Sequence, residues 1–392
     1  MTSAVLDWLH DGGGASSVLV EDGPSGRVLR AAEAVPAGEL LLVVPRALLV
    51  TIADARRMVA SGPFAAALGV AGPYTTLALF LLDTLARGGP WHPYVAPLAR
   101  HRPRTPPFFT EAELAELAGS WVVDRALRSR RALERSFAAV RAALPASTPL
   151  TYEQFASARA LVLSRVFEDT VDGVETQMLA PIADLADHHE RPEASWCYDA
   201  GAGAFVLVAR RDVAAGELVH ISYGRKSAAE FLLMYGFVPT GGARGVARLR
   251  LPRLPPGDAL GRMAAALGVH DAAGVVLRVR EGDRRTRGRL LTYLRLVHAS
   301  PAERRAIVSA GQPPDGPLSP RTERAVARTI AEACTAALRG FPAVRPRAAS
   351  PDDPGARDRA LVRESEQRVL RALRRRVRRR LRATPGTGPG SV

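Results

Sequence analysis

The chain contains, in this order, the segments LAPIADLADH (179–188), ARRDVAAGELVHISYG (209–224) and SAAEFLLMYGFV (227–238). Each segment mixes apolar residues with a few polar or aromatic side chains at particular positions. Taken singly, any one of them is compatible with an ordinary strand, helix or turn. Their order within one short region is the more specific signal, and the rest of the chain is interpreted around it.

Two β-rich regions, roughly 16–50 and 203–223, are predicted from apolar runs bounded by turn residues. In the first region, Leu40–Val44 is an uninterrupted apolar run that follows a turn containing Pro and Gly. The tetrapeptide Ala37–Leu40 recurs as Ala215–Leu218, again just before a hydrophobic run. We expect both copies to form turns that lead into strands of one sheet.

The residues between these two regions, about 52–170, have the spacing of apolar side chains that is typical of helices. Thr75–Ala86 is mostly apolar and contains no helix-breaking residue. Glu111–Leu117 follows Thr110, a residue type that favours the N-cap of a helix. A long helical insertion is therefore predicted inside the β-rich domain.

The sequence changes in character after residue 240. Gly, Pro and Arg are frequent over 241–285, which predicts a linker and the start of a C-terminal domain. Helices are predicted over 286–384, and 385–392 is predicted to be a disordered Gly/Pro tail. The predicted class is thus α+β, with a β-rich domain over 1–240 followed by an all-α domain.

The chain has 392 residues, a length that suits two domains, and a net charge of +15. Lys226 is the only lysine, so the positive excess comes from arginine, which is concentrated in residues 368–382. Such a run attracts nucleic acid or an acidic protein surface, or it is the solvated face of a terminal helix. Because no nucleic-acid-reading motif accompanies it, a nucleic-acid partner is not expected.

Several classes of protein are excluded or disfavoured. The two cysteines, Cys197 and Cys334, rule out a four-cysteine zinc site and a disulfide scaffold. The histidines lack the spacing of metal ligands, so no metal site is expected. There is no apolar stretch of about 18 residues to cross a membrane, and Met1–His10 lacks the pattern of a secretory signal. We therefore expect a cytoplasmic location and no membrane partner.

Taken together, these segments resemble SET-domain methyltransferases of the type represented by the RuBisCO large-subunit lysine methyltransferases. Residues 179–188 are similar to the family's pattern of Pro, Asp and then Asn-His, and 227–238 are similar to its Ser-Asn-Ala-Glu segment and Tyr-Gly-Phe. Val44–Leu49 and Ser164–Phe167 also look like family landmarks. The similarity extends over residues 5–383 and implies a SET fold followed by a helical substrate-binding domain.

The resemblance implies an enzyme that transfers a methyl group from S-adenosylmethionine to a nitrogen atom. The expected acceptor is a lysine of a protein that docks on the C-terminal helical domain. A histidine or a small-molecule amine remains an open alternative for the acceptor. A second alternative is a SET-derived binding module that has lost efficient methyl transfer.

The resemblance assigns catalytic roles to Tyr235, as first choice, and to Tyr223. Methyl transfer from a sulfonium is a direct displacement, so positioning of the acceptor dominates the catalysis. Tyrosine hydroxyls and backbone carbonyls can orient an amine whose lone pair faces the methyl group. Without the flanking motifs, both residues would be interpreted as half-buried aromatic side chains of a sheet or turn.

The resemblance also implies three groups of cofactor contacts. The first is a Gly-x-Gly turn, the second includes an arginine for the cofactor's carboxylate, and the third occupies the place of the family's Asn-His. The turn corresponds to Gly26, Arg27, Val28 and Leu29. The second group is Ser164 and Arg165, and the third is Asp187 and His188.

The sequence departs from the family's pattern at three positions. Val28 replaces the second glycine, where a positive φ would be unfavourable for valine. Asp187 replaces an asparagine and can only accept hydrogen bonds when it is ionised, although it can still accept from the cofactor's ammonium group. Ala228 replaces the asparagine of the Ser-Asn-Ala-Glu segment. These changes favour the binding-module alternative, whereas the retained tyrosines favour the enzyme.

Overall fold

The computed structural model describes residues 3–23, 26–100, 104–239, 243–254, 258–268, 270–271, 274–280, 282–342, 353 and 355–383. The chain forms two compact units. The N-terminal unit comprises residues 1–108, 127–225 and 234–241, and the C-terminal unit comprises 109–126, 226–233 and 242–392. The tail predicted over 385–392 lies outside the described residues.

Helices and strands alternate irregularly along the chain. The strands are β1 (Ala15–Ser16), β2 (Val18–Gly23), β3 (Gly26–Ala31), β4 (Leu40–Pro45), β5 (Val50–Thr51), β6 (Phe167–Val171), β7 (Val174–Leu179), β8 (Ala194–Asp199), β9 (Ala204–Ala209), β10 (Val246–Leu251), β11 (His270–Asp271) and β12 (Gly274–Arg280). The helices are α1 (Ser3–Asp11), α2 (Ile52–Val59), α3 (Pro73–Arg87), α4 (His92–Leu98), α5 (Glu111–Glu116), α6 (Trp121–Ala143), α7 (Tyr152–Arg165), α8 (Ala228–Tyr235), α9 (Ala259–Ala266), α10 (Arg284–His298), α11 (Pro301–Ala310), α12 (Pro320–Arg339) and α13 (Ala356–Ala383).

Among its described residues, the N-terminal unit contains three small antiparallel sheets. Their strand orders are β1-β4-β9-β8, β2-β3 and β5-β7-β6. The helices α2 to α7 follow β5 and precede β6, where the sequence predicts a helical insertion. Helix α3 is buried from Thr75 to Thr84, where Leu77–Leu82 is an unbroken apolar run, and it packs against α2 and α7. Its burial explains why this helix lacks the polar face of a surface helix.

The two copies of the Ala-Gly-Glu motif form similar turns. Gly38 and Gly216 both have positive φ, 88° and 79°, which glycine adopts without strain. The first turn leads into β4 of the four-stranded sheet. The second is followed by residues that pair with β3, where the N–H of Val219 donates to the Leu29 carbonyl at 2.9 Å. The expectation of a single sheet is wrong, because the two turns deliver the chain to different neighbouring strands.

The C-terminal unit contains a three-stranded antiparallel sheet, β10-β12-β11, as well as helices. Ala247 and Leu249 of β10 and Val279 of β12 face an apolar core that includes Leu290 and Leu294. The sequence did not predict this sheet. Its strands lie within residues 241–285, for which a linker and the start of the domain are expected.

Reciprocal side-chain caps begin several helices. Thr110 accepts from the N–H of Glu113 at 3.2 Å, and the Glu113 carboxylate accepts from the N–H of Thr110 at 2.8 Å. Thr51, Thr151 and Ser300 make the same arrangement at α2, α7 and α11. Each cap satisfies two backbone donors that the first turn of a helix leaves without a partner. The N-cap predicted at Thr110 is thus confirmed.

Helix α13 carries the arginine run on one side and an apolar stripe on the other. Leu370, Leu373 and Val377 are buried, whereas Arg375 and Arg376 are exposed. None of the described helices is both long and apolar enough to cross a membrane.

Candidate active site

Residues 180–188 of the N-terminal unit form a loop with an unusual backbone conformation. Ile182 adopts φ 68° and ψ −47° with a fully buried side chain, although β-branched residues rarely have positive φ. A 3-10 turn, Ala183–Leu185, follows it. Such a conformation costs about 1–3 kcal/mol and persists only where surrounding contacts hold it, often at functional sites. The loop therefore holds Asp184 in a fixed position.

Asp184 is the centre of a buried charged group. Its Oδ2 accepts from the Tyr94 hydroxyl at 2.9 Å and lies 3.5 Å from Nη1 of Arg165. The same Nη1 donates to the Asp184 carbonyl at 2.7 Å. Burial raises the pKa of Asp184, and Arg165 and Tyr94 only partly oppose this effect. Oδ1 of Asp184 and Nε of Arg165 are buried without a hydrogen-bond partner among the described residues.

Arg27 and Asp187 add a second cation and a second carboxyl to this group. Burial and the charge of Arg165 lower the pKa of Arg27, against the attraction of Asp184. Asp187 is accessible to solvent, yet partial desolvation by the surrounding protein raises the pKa of its carboxyl. The positive charges of His220 and Arg165 act in the opposite direction. A solvent-accessible carboxyl thus lies within electrostatic range of a largely buried guanidinium.

His188 and Tyr223 contact each other beside the loop. Nδ1 of His188 accepts from the N–H of Tyr223 at 3.1 Å, which places the proton of a neutral imidazole on Nε2. The two ring centroids lie 5.3 Å apart. The Tyr223 hydroxyl donates to the Ala186 carbonyl at 2.9 Å. Burial and the nearby Asp187 raise the pKa of Tyr223, so this hydroxyl stays protonated at neutral pH.

Tyr235 lies next to Tyr223 in the N-terminal unit. Their ring centroids are 4.6 Å apart, and the ring of Phe237 lies 6.2 Å from that of Tyr235. Burial raises the pKa of Tyr235 to about 12. The adjacent Gly236 has φ 84°, and a Cβ there would lie 2.9 Å from the carbonyl oxygen of Arg104. Glycine is therefore required at the turn that positions Tyr235.

Sequence reasoning missed several residues around these groups. Asp184 lies in the segment 179–188, but nothing in the sequence indicates that Tyr94 would bond to it. Tyr74 interacts electrostatically with Tyr235, and the guanidinium carbon of Arg159 lies 5.6 Å from the centroid of the Tyr74 ring. Tyr74 and Arg159 are half-buried side chains on helices, and a single polar or aromatic residue within a helix gives no distinctive sequence signal.

Of the residues predicted to form the glycine turn, Gly26 to Leu29, Arg27 is the one that interacts with the charged residues around Asp184. Gly26 begins β3 with φ 134°. Val28 pairs with Glu21 in the β2–β3 ladder and has an ordinary strand conformation, so the loss of the second glycine imposes no positive φ. Leu29 is buried in the core. Arg27 is the member of this segment that interacts with Arg165 and Asp184.

Ser164 and Ala228 have local roles in the structure. The Ser164 hydroxyl donates to the Leu161 carbonyl at 3.1 Å within α7, so its hydrogen is already used there. Ala228 is buried at the start of α8 in the C-terminal unit. The assignments of Ser164 and the other site residues to cofactor or acceptor remain predictions.

Two family models match the chain. The SET domain model matches residues 26–224, just over half of the chain, and the Rubisco LSMT substrate-binding model matches residues 263–344. The first match lies within the predicted β-rich domain, and the second begins in the segment 241–285 and ends within the predicted helical domain.

Characterised relatives include enzymes with two different acceptors. The chloroplastic [fructose-bisphosphate aldolase]-lysine N-methyltransferase of Arabidopsis thaliana is 28% identical over 365 residues, which cover 85% of this chain and 73% of that protein. The actin-histidine N-methyltransferase of Homo sapiens is 28% identical over 249 residues, 59% of this chain and 41% of that enzyme. The chain thus spans less than half the length of the actin-histidine enzyme.

Solved structures agree with the family models in fold. The SET domain of LSMT bound to lysine and AdoHcy has a TM-score of 0.79 and 22% identity, covering 97% of this chain and 91% of that one. Rubisco LSMT bound to AdoMet has a TM-score of 0.75 and 21% identity, covering 97% and 92%. The predicted family and α+β fold class are confirmed. The chain belongs to the SET-domain family of S-adenosylmethionine-dependent methyltransferases and carries a substrate-binding domain of the Rubisco LSMT type.

Proposed function

We propose that this chain uses S-adenosylmethionine to methylate a lysine or histidine side chain of a protein. The observation that carries the proposal is the combination of two groups in the N-terminal unit. One is the adjacent pair of half-buried tyrosines, Tyr223 and Tyr235, 4.6 Å apart. The other is Arg165, with a buried donor that the described residues do not use, close to the carboxyl of Asp187.

The residues of the charged group fit the amino-acid end of S-adenosylmethionine. That end has a carboxylate and an ammonium group, and when bound the molecule supplies an electrophilic methyl on sulfur. Arg165 matches the carboxylate through a charge-assisted hydrogen bond, and ionised Asp187 matches the ammonium. Arg27 adds positive charge next to Arg165. His188 and Ser164 are retained as predicted contacts.

The tyrosine pair suits an acceptor nitrogen that must be neutral and aligned. With a pKa of about 12, the Tyr235 hydroxyl keeps its proton at neutral pH and acts as an orienting group rather than as a base. A lysine must lose its proton before its lone pair can form the new N–C bond while the C–S bond breaks. Burial among aromatic side chains favours that neutral amine. A histidine acceptor is already largely neutral near pH 7.

The nature of the acceptor is the finer part of the proposal. The relatives include both lysine and histidine N-methyltransferases, and a C-terminal domain of the Rubisco LSMT substrate-binding type favours a protein over a small amine. The competing function is a binding module without efficient transfer. It is favoured by Asp187, because the raised pKa of this carboxyl weakens its preference for the ionised form that binds an ammonium group.

Methyl transfer in an extract of the source organism tests this proposal. With S-adenosylmethionine labelled on its methyl group, we expect label in protein, and acid hydrolysis should release labelled methyllysine or methylhistidine. Tyr235→Phe should reduce transfer about a hundredfold, because a misaligned acceptor reacts slowly, while the affinity for S-adenosylmethionine stays within about twofold.

Tyr198→Phe is the matched control. Its hydroxyl bonds Asp172 at 3.0 Å, and this variant should retain full transfer. Label confined to small molecules would overturn the protein acceptor. Cofactor binding without any transfer would favour the binding module and overturn the enzyme.

A further inference from the structure

The sheet of the C-terminal unit has one apolar face and one arginine-rich face. Residues alternate between the two faces along a strand, and on β10 the residues Ala247 and Leu249 lie in the core. Directly opposed residues of an antiparallel pair share a face, and the register sets Arg278 opposite Arg248. The opposite side of the sheet, the arginine face, carries Arg248, Arg250, Arg278 and Arg280.

The arginine face places like charges next to each other. Opposed like charges on a sheet destabilise it, yet the guanidinium carbons of Arg248 and Arg278 lie 4.5 Å and 5.7 Å from the same Trp121 ring. The indole is itself fixed, because its Nε1 donates to the Val246 carbonyl at 3.0 Å. Attraction to the aromatic face holds the two cations in place against their repulsion.

Acidic side chains near this face neutralise it incompletely. Oε1 of Glu230 lies 3.7 Å from Nη2 of Arg280, and the two side chains form an ion pair. Glu366 interacts with Arg248, but burial raises the pKa of its carboxyl to about 8, so it is mostly uncharged at pH 7. Arg250 and Arg278 are exposed to solvent. The face therefore presents a rigid excess of positive charge.

We infer that the arginine face is a docking surface for an extended acidic segment of the protein substrate. Alternate residues of a strand lie about 7 Å apart, so Arg248 and Arg250 match carboxylates on every second residue of an extended peptide. Rigid placement of the guanidinium groups lowers the entropy lost on binding. The identification of the partner as the substrate rests on the proposed function.

Charge alone would also suit single-stranded nucleic acid, but the aromatic residue argues against it. Proteins that bind single strands stack bases on exposed aromatic rings. Trp121 is only 7% exposed, and both arginines on its ring already use its electron-rich surface. A peptide with carboxylates needs only charged side chains that reach solvent, such as those of Arg250 and Arg278.

Fluorescence anisotropy with a labelled Glu-Ser repeat peptide tests the surface directly. The matched Gln-Ser peptide has the same spacing without charge, and a single-stranded oligonucleotide serves as the competing ligand. We expect the acidic peptide to bind more tightly than both, with an affinity that falls as salt concentration rises. Arg250→Gln combined with Arg278→Gln should weaken it about tenfold, from the loss of two exposed contacts of about 0.7 kcal/mol each.

The control pair Arg375→Gln and Arg376→Gln removes the same charge from exposed positions on α13 and should change the affinity less than twofold. Equal losses in both pairs would overturn the docking site in favour of net charge. Tighter binding of the oligonucleotide, lost in the Arg250 and Arg278 variants, would overturn the peptide in favour of nucleic acid. The single variant Arg250→Gln, at an exposed position, guards against misfolding of the double variant.

Calorimetry with S-adenosylmethionine on the same variants separates this inference from the proposed function. We expect cofactor affinity to be unchanged when peptide binding is lost. An unmodified protein that binds the acidic peptide but not the cofactor would contradict the proposed function and leave the acidic docking surface supported.

Discussion

Each of the two units contains an arginine that is largely shielded from solvent. The two arginines differ in how many of their guanidinium nitrogens have a hydrogen-bond or ion-pair partner. In the C-terminal unit, Arg359 is 1% exposed. Its Nε donates to Glu116 at 2.8 Å, its Nη1 contacts Glu113 at 3.4 Å, and its Nη2 pairs with Asp353. Every nitrogen of this guanidinium therefore has a carboxylate partner.

In the N-terminal unit, Arg165 is 15% exposed and only partly paired. It bonds the Asp184 carbonyl and lies 3.5 Å from the Asp184 carboxylate, while its Nε is buried without a partner among the described residues. Buried polar groups in native proteins are nearly always bonded, and an exception points to a strained site or to a missing ligand. Arg359 thus serves the fold, whereas the incomplete pairing of Arg165 supports the ligand-binding role that we propose for it.

The largest expected effect is the loss of stability on removing Arg359. Arg359→Gln leaves three carboxylates without their cation, which should lower the free energy of unfolding by about 3 kcal/mol. Urea unfolding measures this change, and calorimetry should show unchanged affinity for S-adenosylmethionine. Arg371→Gln, at an exposed position, is the control, with an expected change of less than about 0.5 kcal/mol. Equal stability of the Arg359 and Arg371 variants would contradict the conclusion that Arg359 stabilises the fold.

Arg165→Gln should show the reverse pattern. Loss of a charge-assisted hydrogen bond worth about 2 kcal/mol should weaken the binding of S-adenosylmethionine about thirtyfold. Stability should fall less than in the Arg359 variant, because the raised pKa of Asp184 lets this carboxyl take up a proton when its cation is removed. Arg56→Gln, an exposed position in the same unit, is the control. Cofactor affinity within twofold of the unmodified protein would contradict the role of Arg165.

Glu366 extends the comparison to a buried group that is bonded but uncharged. The Ser120 hydroxyl donates to it at 2.7 Å, and its pKa of about 8 lies above the ordinary value of about 4.3 for an unfolded chain. The folded state therefore holds this proton more tightly, and stability declines as the pH rises between these two values. Glu366→Gln, which mimics the protonated carboxyl, should remove that decline and be the more stable of the two proteins at pH 8. Parallel melting-temperature profiles from pH 5 to 8 would contradict this.

Asp187→Asn should have the smallest effect, because an amide oxygen can still accept from an ammonium group. At pH 7.5 we expect the affinity for S-adenosylmethionine to change by about threefold or less. In the unmodified protein the affinity should fall as the pH is lowered through the raised pKa of Asp187, since only the ionised form attracts the ammonium. The variant should lack this dependence. If the affinity of both proteins falls in the same way as the pH is lowered, the titrating group is a residue other than Asp187.

Much of the fold could be predicted because the relevant signals are local. The cap at Thr110 and the helices that flank it follow from short sequence patterns. The sheet that contains β10 was missed, although Val246–Leu251 alternates apolar residues with arginine. The many Pro and Gly residues around this strand favour a linker, and only its packing against the core reveals the alternation as two faces of a sheet.

The site was predicted only in part because its key contacts join distant residues. The sequence motifs indicated Arg165 and Asp187, but not that Tyr94 would bond Asp184 from 90 positions away. Val28 has an ordinary strand conformation, so the positive φ considered from the sequence is not needed at this position. The positive φ of Ile182 likewise has no sequence signal, since isoleucine rarely adopts it.

Calorimetric titration of the unmodified protein with S-adenosylmethionine is the most direct test of the central claim. Partly unpaired Arg165, together with Asp187, predicts saturable binding at one site per chain with a sub-millimolar dissociation constant, weakened in Arg165→Gln and retained in Arg359→Gln. An absence of detectable binding at millimolar cofactor would contradict the claim that this chain is a working methyltransferase.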